Sequence, residues 1–194
     1  MSRTNGRGFT MVELLTVMVI LGLISGLIYG FYNGVIGNFL RLQTVSFLVA
    51  EETRTIGRMS KVLRGTTKIE DASDNSVTVL TYFSPTDTKL SKVTYFYNPT
   101  ERQLTVSRIL ASGVAPNYTY NEANRKTIVL LHDLELKSQL FSYEDSSGGS
   151  GPFDAETFKD IQVIAIDINA NFKGNVAPTE LKTLVMLRNK RGNL

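Results

Sequence analysis

The chain has 194 residues and a mass of 21.5 kDa, room for about one ordinary domain of roughly 100 to 150 residues with an appendage. It contains no cysteine, which excludes a disulfide framework, a thiolate metal site and a thiol nucleophile and leaves the fold to packing alone. The formal charge is +3, yet from residue 66 to 194 there are 14 Lys and Arg against 15 Asp and Glu. That part is slightly acidic, so a general electrostatic grip on nucleic acid is not expected.

In chain order, the first element is a hydrophobic helix. From Leu14 to Leu40 no residue is charged, and Leu14 to Tyr32 is almost wholly apolar, long enough at helical rise to cross roughly 30 Å of hydrocarbon. Arg3 and Arg7 precede the run and Arg41 is the first charge beyond it. The positive-inside tendency therefore keeps the N-terminus in the cytoplasm and exports the chain beyond about residue 32. A secretory signal peptide has an apolar region of about 7 to 15 residues followed by a small-x-small cleavage site. This run is longer and lacks a convincing site, so the anchor is expected to stay.

Glu13 breaks the pattern, set among Phe9, Met11, Val12, Leu14 and Leu15. A carboxylate at such a depth costs on the order of 2.5 to 3.5 kcal/mol on insertion scales. It needs a partner or a function, unless it sits at the interface and snorkels to water. Gly22, Gly26, Gly30 and Gly34 recur every four residues, on one slowly drifting face that suits close helix packing in membranes, although glycine is common in membrane helices in any case.

Beyond Arg41, Val45, Leu48, Ile56, Met59 and Leu63 keep close to a 3.6 period, with Glu51, Glu52, Arg54, Arg58 and Lys61 interleaved. The pattern predicts one helix from about Phe9 to Arg64, with Gly65 as its C-cap. Short alternating segments rich in β-branched and aromatic residues come next: Val77 to Phe83, Val93 to Tyr97, Leu104 to Arg108, Thr127 to Leu131, Leu136 to Tyr143, Ile161 to Phe172 and Leu181 to Arg188. These predict strands. Asn98-Pro99-Thr100-Glu101 reads as a hairpin turn, and Ser146 to Pro152 as a flexible connection. An α+β arrangement, with an antiparallel sheet resting on the second half of the helix, is the economical architecture.

The stretch Gly8-Phe9-Thr10-Met11-Val12-Glu13-Leu14-Leu15-Thr16-Val17 resembles the cleavage and methylation motif of type IV prepilins and of the pseudopilins of type II secretion. Met11 stands where leucine is frequent, a volume-conserving change. The resemblance implies a type IV pilin-like fold in three zones: a basic leader, residues 1–8, removed by a prepilin peptidase; a long helix, residues 9–64, whose part up to about residue 32 spans the membrane and drives assembly; and an exported head, residues 65–194. It implies cleavage after Gly8, N-methylation of Phe9, and an assembly role for Glu13, whose carboxylate would face the Phe9 ammonium of a neighbouring subunit. The implied partners are other pilins or pseudopilins, the prepilin peptidase, an inner-membrane assembly platform and membrane lipid. The implied location is the cytoplasmic membrane in a single pass, then an extracytoplasmic filament. Many major pilins carry a proline about twenty residues into the mature helix; here the first proline is Pro85, which leaves any local melting to glycine.

A second, more dispersed set of residues is similar to the heads of J-class minor pseudopilins and minor pilins. It comprises Tyr95-Phe96-Tyr97-Asn98, Gln103-Leu104, Arg108, Leu134, Phe141 to Asp145, Ile161 to Ile168, and Leu187-Arg188-Asn189. That similarity implies a minor component that primes assembly or joins a tip complex.

Other chemistry finds little footing. His132 is the sole histidine, no G-x-S-x-G elbow accompanies it, and it reads as a strand-end or loop residue. No P-loop, dinucleotide fingerprint or H-E-x-x-H helix occurs. Glu70, Asp71 and Asp74 form the densest acidic group, but their spacing matches no EF-hand loop, and Glu144-Asp145 is weaker still. No catalytic residue, metal or cofactor is expected. Two other readings stay open: a tip adhesin or DNA-binding minor pilin of a competence pilus, which needs an exposed basic or aromatic patch, and a membrane-anchored exported enzyme, for which no catalytic constellation is recognisable.

Overall fold

The computed structural model describes residues 10–114, 117–151, 153–172 and 179–188. One helix, α1 (Met11–Arg64), contributes to both of its compact units, whose boundary falls after Thr44. Up to Thr44 the large apolar side chains of α1 are exposed within the chain, Leu27 at 75% and Phe31 at 76%. By length and composition α1 is able to cross a membrane, and lipid or other helices would cover this surface.

From Val45 onward α1 is amphipathic. Ile56, Met59, Val62 and Leu63 are buried in the core, while Arg54, Arg58, Lys61 and Arg64 stay exposed on the opposite face. The helix ends in tight turns, with Gly65 N donating to Val62 O at 3.1 Å and Thr66 N to Leu63 O at 3.0 Å. Gly65 does not take the left-handed conformation of the expected C-cap. It admits a close neighbour instead: Thr81 Oγ1 donates to Val62 O at 3.0 Å, and a Cβ on Gly65 would sit 3.3 Å from that hydroxyl.

The head follows as β1 (Lys68–Ala72), β2 (Ser76–Thr81), β3 (Ser91–Asn98), β4 (Gln103–Leu110), β5 (Ser112–Val114), β6 (Asn117–Thr119), β7 (Lys126–Leu131), β8 (Leu134–Leu136), β9 (Phe141–Glu144), β10 (Val163–Phe172) and β11 (Thr179–Met186). The pairing is antiparallel throughout and makes a five-stranded sheet in the order β1-β2-β3-β4-β7. A second sheet has the order β11-β10-β8 with β9 also on β10, and β5 pairs with β6 in a small ribbon. The α+β architecture expected from the sequence is thus present, with the head divided between two principal sheets. The expected hairpin after Asn98 forms as well: Asn98 Oδ1 accepts from the N–H groups of Thr100 and Glu101, and Arg102 takes a positive φ of 54° before β4 begins.

The differences from the predicted segments have local causes. β1 was not expected, because only Ile69 of Lys-Ile-Glu-Asp-Ala is buried and its acids read as a solvated turn. The single strand predicted over Leu136 to Tyr143 is two: between β8 and β9 residues 137–140 stand against residues 167–169 of β10, a bulge held by Lys137 N donating to Asn169 O at 2.8 Å and Asp167 N donating to Leu140 O at 2.9 Å, with Leu140 in the core at 0% exposure. β10 starts at Val163 because a 3₁₀ turn, Phe158–Asp160, precedes it. Pro152, at the end of the expected Ser/Gly connection, lies outside the described residues. Two tyrosines tie the sheets together. Tyr97 on β3 donates to Leu134 O at 2.8 Å, and Tyr143 on β9 reaches the β1–β2 turn at Ser73 O, 2.9 Å. One core of apolar residues from α1 and both sheets results.

Candidate functional site

The first turn of α1 is closed by a reciprocal pair of polar residues. Thr10 precedes the helix, and Glu13 N donates to Thr10 Oγ1 at 3.3 Å. In return Glu13 Oε2 accepts from Thr10 N at 3.0 Å and from Thr10 Oγ1 at 3.0 Å. This is a capping box, T-x-x-E, in which two of the orphan N–H groups of a helix start are satisfied by side chains. The carboxylate also lies at the positive end of the helix dipole. Both Thr10 bonds fall on Oε2, so among the described residues Oε1 accepts no hydrogen bond. Glu13 is therefore held at the helix start in a fixed direction with one oxygen open to a further donor. The sequence reading missed Thr10, although the signal, Thr three residues before Glu at the head of an apolar run, was there.

Gly8 and Phe9, the expected cleavage and methylation positions, lie outside the described residues. Gly22, Gly26, Gly30 and Gly34 fall in the exposed first half of α1, and a Cβ at any of them would meet nothing within 4 Å. Among the described residues nothing packs on these glycines, so a role for the stripe rests on other helices.

In the head, two of the three acids that the sequence singled out are engaged by neighbours on β2 and β3. Glu70 pairs with Lys92 at 3.1 Å, and Asp71 accepts from Ser76 Oγ at 3.3 Å. Asp145 organises its loop by accepting from Ser147 N, Ser147 Oγ and Gly149 N at 2.7 to 2.9 Å, and the Ser147 hydroxyl first, then those N–H groups, hold its carboxyl below the usual range. His132 is exposed in the turn between β7 and β8. Of the residues similar to minor pseudopilin heads, Tyr95, Tyr97, Leu104, Leu134, Phe141, Tyr143, Ile164, Ile166 and Ile168 are buried. They serve the core, which explains why their pattern reports the fold; Asn189 lies outside the described residues.

No curated protein matches the chain. Its beginning does match a known family: the model for the prokaryotic N-terminal methylation motif covers residues 3–29, a span that includes Gly8, Phe9, the Thr10–Glu13 box, Gly22 and Gly26. A prepilin-type methylation motif at the start of a long apolar helix, followed by an antiparallel β head, supports a membrane-anchored relative of the type IV pilins and pseudopilins with the pilin-like α+β fold.

Proposed function

We propose that the chain is a structural subunit of a type IV pilus-like filament or type II secretion pseudopilus. In this reading a prepilin peptidase cuts after Gly8, Phe9 is N-methylated, the first half of α1 holds the subunit in the membrane with its head exported, and Glu13 draws it into the filament. The observation that carries the reading is the Thr10–Glu13 box inside the matched motif. An ionised carboxylate with one unpartnered oxygen is costly in a water-free helix bundle unless a cation meets it. The Phe9 ammonium of the next subunit is such a cation, so pairing selects one axial register. The Gly22–Gly34 stripe gives the helices a face on which backbones can approach closely.

The partners in this reading are other pilins, the peptidase, an assembly platform and lipid. A place in a priming or tip complex is its finer form and draws on the dispersed resemblance of the head. Mass spectrometry of the N-terminal peptide from cells with an active prepilin peptidase tests the first step. The expected result is a peptide beginning at an N-methylated Phe9, and recovery of the intact Met1 leader would overturn the reading.

A further inference from the structure

The β1–β2 hairpin separates two ends of opposite charge. At its open end the last turns of α1 expose Arg54, Arg58, Lys61 and Arg64, and among the described residues none of these has a carboxylate within 4 Å. Phe83, just beyond β2, holds the Arg58 guanidinium 5.2 Å and the Arg108 guanidinium 5.1 Å from its ring centre. Arg108 is already neutralised, by Asp87 at 2.7 Å, and is further held by Ser91 Oγ at 3.0 Å. Arg58 is not: the ring orients it and, among the described residues, no acid meets it. Arg58, Lys61, Tyr82, Phe83, Pro85 and Arg108 line a cleft of about 660 Å³, with Tyr82 48% exposed.

At the turn end the charges reverse. Phe141 N donates to Asp74 O at 2.9 Å, the Phe158–Asp160 turn packs on β1, and Gln162 N donates to Glu144 O at 2.9 Å. Asp71, Asp74, Glu144, Asp145 and Asp160 are thereby gathered round one end, joined by Asp154 next to Phe153, which lines one cleft with Asp74, and interrupted by Lys159; among the described residues none of the six has a Lys or Arg within 4 Å. Asp74, Asn75, Ser142, Tyr143 and Ser150 line a second cleft there, of about 680 Å³. The ends lie apart by the length of β2, Ser76–Thr81, roughly 20 Å at strand rise.

We propose that these are the two halves of one interface: the acidic turn end of one copy of the chain seats in the Arg58–Lys61 cleft of the next. The contact rests on the filament reading above and names what the heads do within it. Because the two surfaces differ, the contact is heterologous, and within the filament reading it repeats from copy to copy as an open series. A second copy fits the charge better than a polyanion does. A nucleic acid would gain at one end and be repelled at the other, whereas a copy is complementary at both. Exposed ion pairs are individually weak and screened by salt, so the contact needs the high local concentration that shared membrane anchoring supplies.

The absence of cysteine gives a clean test on the full chain in its membrane. Tyr82→Cys and Ser150→Cys are placed in the same chain and treated with a short bis-maleimide that cannot span the two ends of one head. The expected product is a ladder of dimers, trimers and larger species, with neither single variant giving a ladder. Arg58→Glu with Lys61→Glu should cut the yield about tenfold through like-charge juxtaposition, and adding Asp74→Lys with Asp154→Lys to that chain should restore it. Assembled, sedimenting protein without the ladder overturns the head contact and leaves the filament reading standing; no assembled protein at all overturns both. A ladder that charge reversal leaves unchanged, or that a single-stranded oligonucleotide abolishes at low micromolar concentration, overturns the assignment of the cleft to a second copy.

Discussion

The hydroxyl of Tyr97, on the five-stranded sheet, donates to the carbonyl of Leu134 at 2.8 Å and lies 3.3 Å from the N–H of Leu136, on the other sheet. Tyr97 is 5% exposed and Leu134 0%, so no water replaces the bond. Tyr97→Phe keeps the ring in the core and strands a buried carbonyl and a neighbouring N–H, a loss of about 1 to 3 kcal/mol. Urea denaturation of the head should show a lower midpoint with an unchanged slope.

The Ser146–Gly151 loop should hold its conformation down to unusually low pH. Asp145 accepts three hydrogen bonds from Ser147 and Gly149, which favour the carboxylate and depress its pKa below the ordinary 3.8. A depressed carboxyl contributes order that is fully present above the unfolded value and is lost as pH falls through the lower folded one. The amide signals of Ser147 and Gly149 should therefore stay in place from neutral pH to 3.8 and shift only below it. Asp145→Ala should release them at every pH and speed proteolysis at Gly148-Gly149.

A chain starting near Leu42 should be soluble, β-rich and monomeric at micromolar concentration. Among the described residues the buried apolar residues of the core lie at or after Ile56, so a chain starting near Leu42 keeps all of them. Circular dichroism and sedimentation check this, and a chain that only aggregates, or one without β signal, would contradict it.

Much of this was legible in the sequence, and the parts that escaped have physical reasons. The apolar run and the 3.6 period beyond it marked α1 to within two residues, because a helix apolar all round reads as an unbroken run and one-sided burial reads as a period. β1 escaped because Glu70 and Asp71 mask a strand in which Ile69 alone is buried, and β8 and β9 fused because Leu140 continues the hydrophobic pattern across a bulge against β10 that no local pattern marks. Gly65 looked like a cap because glycine is permissive, yet here it admits the Thr81 hydroxyl, a contact between distant residues that no local pattern encodes. At the candidate site the sequence identified Glu13 and missed its partner: the membrane reading of the acid drew attention from the T-x-x-E spacing that also makes it a cap.

The Thr10–Glu13 cap sets the most discriminating prediction, because capping and the proposed charge pairing can be removed separately. Glu13→Ala takes a charge out of the apolar segment, so insertion should be unchanged or improved, yet it removes both the cap and the proposed partner of the neighbour's Phe9 ammonium. Glu13→Gln keeps an oxygen that can accept from Thr10 N–H and so preserves most of the cap, while losing the charge. Thr10→Val does the reverse: it removes the hydroxyl, costing about 0.5 to 2 kcal/mol of helix start, and leaves the carboxylate ionised and freer. If Glu13 acts as the register key, Glu13→Ala and Glu13→Gln should both fail to assemble, since each leaves a buried ammonium uncompensated at about 3 to 5 kcal/mol, and Thr10→Val should assemble at a reduced level. If Glu13 acts only as a cap, Glu13→Gln should assemble normally and Thr10→Val should be nearly as impaired as Glu13→Ala. Sedimentation of sheared filaments, on variants first shown to be membrane-inserted and cleaved, separates the two orders of activity, and normal assembly of Glu13→Gln would falsify the register role.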